Sequence, residues 1–126
     1  MNRQIKFRGK SKTTGEWVYG DLHLISKVPH IHINYGYRVI IDVDTIGQFT
    51  GLLDANKKEI YEGDIVDFGL NAVVKYHPFL CSFILDCDNK ELHSNDSYSE
   101  LGYMKKQCEK FVVIGNIHDN PELIKK

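Results

Sequence analysis

Hydrophobic and polar residues alternate with a period of two along most of this chain, and the alternation breaks at Gly, Pro, Asn and Asp. Ile5 and Phe7 alternate with Lys6, Arg8 and, further on, Lys10 and Lys12, which predicts a strand with one apolar and one basic face. Thr13-Thr14-Gly15 predicts a turn, and Trp17 to Leu24 a second strand with Gly20 at a bulge or point of close approach, so the two strands form a hairpin. Pro29 interrupts the next extended region and Asn34-Tyr35-Gly36 signals another turn. Tyr37 to Val43 is rich in β-branched residues and predicts a buried strand.

That strand leads through Asp44 to Gly47 into the stretch QFTGLLDANKKEIYEGDIV, Gln48 to Val66, around which the chain is organised. Thr50-Gly51 ends an apolar run, and Asp54 to Lys58 is a polar reversal in which Asp and Asn hydrogen-bond their own backbone. Glu62-Gly63-Asp64 places a glycine able to take positive φ just before Ile65 and Val66 restart the extended pattern. Asp64 to Phe68 and Ala72 to Tyr76 flank Gly69-Leu70-Asn71 at hairpin spacing, and Phe79 to Leu85 is a further strand closed by a polar turn from Asp86 to Lys90. Between Ser94 and Cys108 the pattern predicts a short helix, capped within Asn95-Asp96-Ser97 and carrying Leu101, Met104 and Cys108 on one face. Phe111 to Ile117 is a strand, and Asn120-Pro121 starts a final helical turn with Asn120 as its N-cap.

Many short strands with few helical windows predict an all-β, or β-rich, barrel-like fold with minor helix. Closure would remove the open edges of so many strands, and EGDIV is similar to the strand openings of small SH3-like barrels. At 126 residues the chain is read as a single domain, 1–126, with an N-terminal strand subdomain at about 1–45 and a C-terminal barrel at about 46–120.

Charge narrows the partner classes. A formal net charge of −1 argues against a surface that attracts nucleic acid or an anionic membrane as a whole, while leaving room for a local basic patch. No apolar run reaches the roughly 20 residues of a membrane helix and the N-terminus has no signal-peptide core, so a soluble cytoplasmic protein with no membrane partner is expected. Cys81, Cys87 and Cys108 are odd in number and lack metal or redox spacing, and they read as structural thiols, Cys81 as a small buried hydrophobe.

Three blocks in this order, KFRGK with GEWVYGDL, then QFTGLLDANKKEIYEGDIV, then FVVIGNIHDNPEL, resemble the YopX-like family of small phage and prophage proteins, from about Ile5 to Leu123. The resemblance implies a β-rich fold and a phage gene product made in the cytoplasm of a bacterial host. It implies no reaction, ligand or catalytic residue.

The candidate sites rest on their own chemistry. Lys6, Arg8, Lys10 and Lys12 project to one side if the first strand continues through Lys12, with Trp17, Tyr19 and Tyr35 to Tyr37 as neighbouring aromatics. Such a face suits phosphate contact, and it equally protects a strand edge from aggregation. His30 and His32 share a face if they lie in a strand, where two imidazoles could hold a transition metal, but no third ligand is near in sequence and an exposed loop beside Pro29 is the plainer reading. Asp54, Glu59, Glu62 and Asp64 do not match a calcium loop and read as a solvated turn. His118-Asp119-Asn120 has no accompanying nucleophile motif, and phosphate-binding glycine motifs are absent, so no cofactor is expected. Three readings follow: a non-enzymatic phage accessory protein that works as an interaction or assembly module, self-associating or binding a phage or host protein; a nucleic-acid-binding module; and a metal-dependent enzyme. The missing catalytic motifs place the first ahead.

Overall fold

The computed structural model describes residues 4–33, 37–67, 69, 71–78, 81–86, 98–100 and 111–124. The chain divides into two compact units, Met1–Gly51 and Leu52–Lys126.

In the first unit the period-2 pattern becomes antiparallel strands: β1 (Phe7–Lys10), β2 (Trp17–Ile25), β3 (Val28–His32), β4 (Arg38–Ile40) and β5 (Gly47–Leu53), adjacent in the order β4-β3-β2-β1-β5. The first hairpin turns at Ser11, whose Oγ accepts from the Thr13 and Thr14 N–H groups at 3.3 and 3.2 Å. β1 therefore ends at Lys10, and Lys12 lies in the turn rather than on the strand. Gly20 sits opposite Phe7 with no shift in register, so it is a point of close approach and not a bulge. Its φ is +155°, and an added Cβ would lie 2.3 Å from the His32 carbonyl oxygen, which only glycine accommodates.

The next reversal is at Ser26 and Lys27, both at positive φ (51° and 68°), and not at Pro29. Pro29 lies inside β3 opposite Leu24, and its carbonyl accepts from Ile41 N–H at 3.1 Å. His30 and His32 are thus strand residues, not a loop. The expected buried strand from Tyr37 to Val43 is a three-residue edge strand, β4, with Tyr37, Ile40 and Val43 exposed and only Ile41 buried. β-branched composition favours extended backbone but does not set burial, and an edge position leaves one flank open. A 3-10 helix, Val43–Thr45, follows, with the Asp42 carboxylate accepting from Asp44 N–H at its start. The Asn34-Tyr35-Gly36 turn lies outside the described residues.

In the second unit β6 (Glu59–Tyr61) comes first, and β7 (Asp64–Asp67), β8 (Asn71–His77), β9 (Ser82–Asp86), β10 (Tyr98–Glu100) and β11 (Val112–Asn116) form a five-stranded antiparallel sheet ordered β10-β9-β8-β7-β11. Val66, Ala72, Val74 and Leu85 alternate inward from β7, β8 and β9 onto Ile60 and Phe111, with Leu52, Phe83 and Val113 packed around them. Each buried Val, Leu, Ile and Phe side chain among them contributes roughly 1.5–3 kcal/mol by leaving water. Gly63, at φ 93°, makes the turn into β7 that the glycine between two acidic residues predicts.

The all-β class stands, but among the described residues neither sheet closes into a barrel, SH3-like or otherwise. β11 pairs with β7 and β10 with β9, at opposite edges of their sheet. In that five-stranded sheet, strands of three to seven residues, shortest at one edge, give little length over which to stagger the register as closure demands. Strand β10 falls inside the segment where a helix is expected, and the remainder of that segment lies outside the described residues, as do Phe68, Leu70, Phe79, Cys87 and Cys108. Cys81 is exposed at φ 51° in the turn before β9, which begins only at Ser82, so it is not a buried hydrophobe.

Candidate binding face of the N-terminal sheet

Directly opposed residues of antiparallel strands share a face. The register pairs Arg8 with Tyr19, Lys10 with Trp17, Asp21 with His32, His23 with His30, His32 with Arg38, and His30 with Ile40. One face of β1 to β4 is therefore polar, cationic and aromatic. The other carries Phe7, Gly9, Val18, Leu22, Leu24, Pro29, Ile31 and Val39.

The expected row of four cations is divided by the structure. Arg8 is buried, at 5% exposure, with its guanidinium 4.5 Å from the centre of the Trp17 ring. Lys10 Nζ lies 5.4 Å from the same ring, and Lys6 Nζ lies 5.3 Å from the Phe49 ring, Lys6 and Phe49 being joined through their backbones. These cations lie over ring faces that attract them electrostatically. Lys12 stands apart in the turn.

The histidines come together more closely than their spacing foretells. His23, which sequence reasoning passed over, stacks on His32 with ring centroids 4.0 Å apart and an interplanar angle of 23°. His30 Nδ1 is 2.9 Å from the Val28 carbonyl oxygen, which can only accept, so Nδ1 carries the proton. His32 Nε2 is buried with no hydrogen-bond partner. Desolvation, then the neighbouring His23 and Arg38, hold the His32 pKa below its usual value; Asp21 opposes the shift and His30 adds to it. Arg38, Asp21 and His23 were legible only as members of alternating strands, because their shared face depends on a register that the sequence does not state. Among the described residues no group of three or more His, Cys, Asp or Glu side chains is arranged to hold a metal ion.

The remaining candidates serve the backbone of the second unit. Asp54 Oδ1 accepts from Asn56 and Lys58 N–H, and its Oδ2 from Val113 N–H. Glu59 accepts from the Tyr61 hydroxyl and Asp64 from the Tyr61 N–H. Asn116 Oδ1 accepts from His118 and Asp119 N–H, while its Nδ2 donates to Asp119. Asn120 precedes the 3-10 helix Pro121–Leu123 but makes no side-chain cap; its Oδ1 accepts from Asn116 N–H, because the carboxamide folds back over Gly115.

Charge and exposed apolar surface both distinguish the first unit. Residues 1–51 hold seven Lys and Arg against four Asp and Glu, whereas 52–126 hold nine against thirteen. Of the large hydrophobic side chains exposed among the described residues, Ile5, Tyr19, Leu24, Val28, Ile33, Tyr37, Ile40 and Val43 lie in the first unit and only Leu53, Tyr76 and Ile114 in the second. No described helix is long and apolar enough to cross a membrane.

Residues 6–125 match the family model described as YopX protein. No curated protein matches the chain. Among solved structures the chain is similar to the crystal structure of protein EF1440 from Enterococcus faecalis, at 23% identity and a TM-score of 0.56, covering 97% of this chain and 99% of that one. At that identity the likeness is one of fold.

Proposed function

This chain belongs to the YopX protein family, and we propose that it is a phage or prophage accessory protein acting in the bacterial cytoplasm as a non-enzymatic interaction and assembly module. Its partner is first of all a second copy of itself. The observation that carries this reading is the exposed apolar surface of β2 to β4: near Ile31, which is fully buried, Leu24 and Tyr37 stand 70% and 73% exposed, with Ile33 hydrogen-bonded through its backbone to Tyr37. Large apolar side chains left in water close together are the usual mark of a contact surface. The opposite charge excess of the two units favours attraction between copies.

The test is native mass spectrometry and sedimentation velocity on the full chain and on a Leu24→Lys, Tyr37→Lys double variant. A defined oligomer that falls to monomer in the variant, with unchanged circular dichroism, is expected. A wild-type chain that stays monomeric at about 100 µM, well above the range of a specific assembly, overturns the proposal.

A further inference from the structure

We propose that the polar face of the same sheet binds single-stranded nucleic acid along a strip formed by Tyr19, His23, His30, His32 and Arg38, and not along the basic row of β1. This goes beyond self-association and uses the opposite face.

The strip follows from four observations. First, the β1 cations are already engaged: Arg8 is buried against Trp17, and Lys6 and Lys10 lie over aromatic rings. Second, the next strands present flat π surfaces, the exposed Tyr19 ring and the stacked pair His23 and His32. Third, a cation stands beside the rings, Arg38 exposed on β4, in the unit where basic residues outnumber acidic ones. Fourth, the strands hold these groups in a fixed array, about 4.8 Å apart across strands and about 6.6 Å apart from i to i+2 along a strand.

An array of rings beside a cation matches unpaired bases, whose faces stack while a phosphate meets the guanidinium. A duplex offers its phosphates only and leaves the rings unused. The face is not uniformly basic. Asp21 is its one carboxylate among the described strand residues, opposite His32, and it limits attraction at neutral pH.

The histidines make binding depend on pH. His32 is faced by Asp21 and His23 from β2, by His30 along β3 and by Arg38 from β4. His23 is faced by His30 across the strands and by His32 in the stack; His30 has His23 on one side and Ile40 on the other. Around His32, the neighbouring His23, Arg38 and His30 disfavour its charged form. A bound phosphodiester removes that repulsion, so binding takes up protons and tightens as pH falls.

The test is fluorescence anisotropy of a labelled oligothymidylate against the full chain, with the same length of duplex and inorganic polyphosphate as competitors. Binding is expected to tighten between about pH 8 and about pH 6, and His23→Gln with His30→Gln should flatten that dependence. Arg38→Gln should lower the slope of log affinity against log salt by about 0.7, and Tyr19→Ala should weaken binding roughly 5- to 150-fold while Tyr19→Phe, which keeps the ring, preserves it. A Lys12→Gln variant serves as the control and should bind as wild type apart from a small salt-dependent change. The inference is overturned if the single strand is not bound at about 100 µM chain in low salt, the weak end of non-specific affinity. It is also overturned if duplex or polyphosphate competes as well as the single strand, since charge alone then accounts for binding. The Leu24→Lys, Tyr37→Lys variant, assayed alongside, separates this result from self-association.

Discussion

Asp54 joins the central reversal to the last strand of the sheet, and its replacement should destabilise the second unit out of proportion to its size. The carboxylate is 5% exposed and accepts three backbone N–H groups at 2.8, 2.9 and 2.9 Å, from Asn56, Lys58 and Val113. A hydrogen bond to a charged group contributes roughly 1.5–3 kcal/mol net, and the three share one side chain, so their removal is not additive. In Asp54→Ala the exposed Asn56 and Lys58 amides recover water, whereas the half-buried Val113 amide does so poorly. The expected loss is about 3 kcal/mol, which lowers the urea midpoint by about 1–3 M at the slopes usual for small proteins. Asp54→Asn keeps one acceptor for the reversal but sets an NH2 against the Val113 N–H. It should cost less than the alanine variant and strip hydrogen-exchange protection from Val113 while sparing Lys58. A loss below about 1 kcal/mol in Asp54→Ala, in the range of an ordinary surface substitution, would refute the argument that this carboxylate ties β11 to the turn.

Two further outcomes test the N-terminal sheet. Gly20→Ala forces a Cβ to within 2.3 Å of the His32 carbonyl oxygen at φ +155°, so the β2–β3 pairing must open; a cost of about 2 kcal/mol or more is expected by chemical denaturation, with loss of exchange protection in β3, and a neutral result contradicts the close approach. His32, with its pKa held down by burial and by His23, binds fewer protons folded than unfolded. Its contribution to stability is therefore present above about pH 6.5 and is lost as pH falls through its lowered folded value, and His32→Gln should flatten the fall in urea midpoint over that range. An unchanged pH profile in the variant would place the acid sensitivity elsewhere.

Alternation made the strands legible where both the pattern and the turn chemistry were local. Ser11 to Gly15, Asp54 to Lys58 and Glu62 to Asp64 each combine a turn-forming polar residue with an extended run, and each reverses where the residues predict. The Ser26-Lys27 turn was hidden because neither residue is the glycine or asparagine that positive φ ordinarily favours, while Pro29, three residues after Ser26, drew the break to itself. That one displaced turn decided how the histidines were read. With the reversal at Pro29, His30 and His32 are loop residues; with it at Ser26, they are strand residues facing His23 and Asp21. Arg8 shows the complementary case. Its place on the basic side of β1 was legible, but its burial was not, because burial comes from Trp17 across the hairpin.

The two units spend their polar residues differently, and this is the reason for placing function in the first. In the second, Asp54, Glu59, Asp64, Asn116 and Asn120 bond to backbone or to a neighbouring side chain that fixes a turn. Changing them alters stability before it alters any surface. In the first, Arg38, His23 and Tyr19 lie on one face of the sheet and Leu24 on the other, with Tyr37 exposed just before β4. A sheet so built can meet a second copy through its apolar side without covering the polar one. If copies then present their strips side by side, a long single strand engages several at once, and effective concentration raises its affinity with no new contact in any one copy. Short oligonucleotides gain nothing from that arrangement, so dependence on strand length would express the two proposed activities acting together, while each face alone leaves affinity set by one strip.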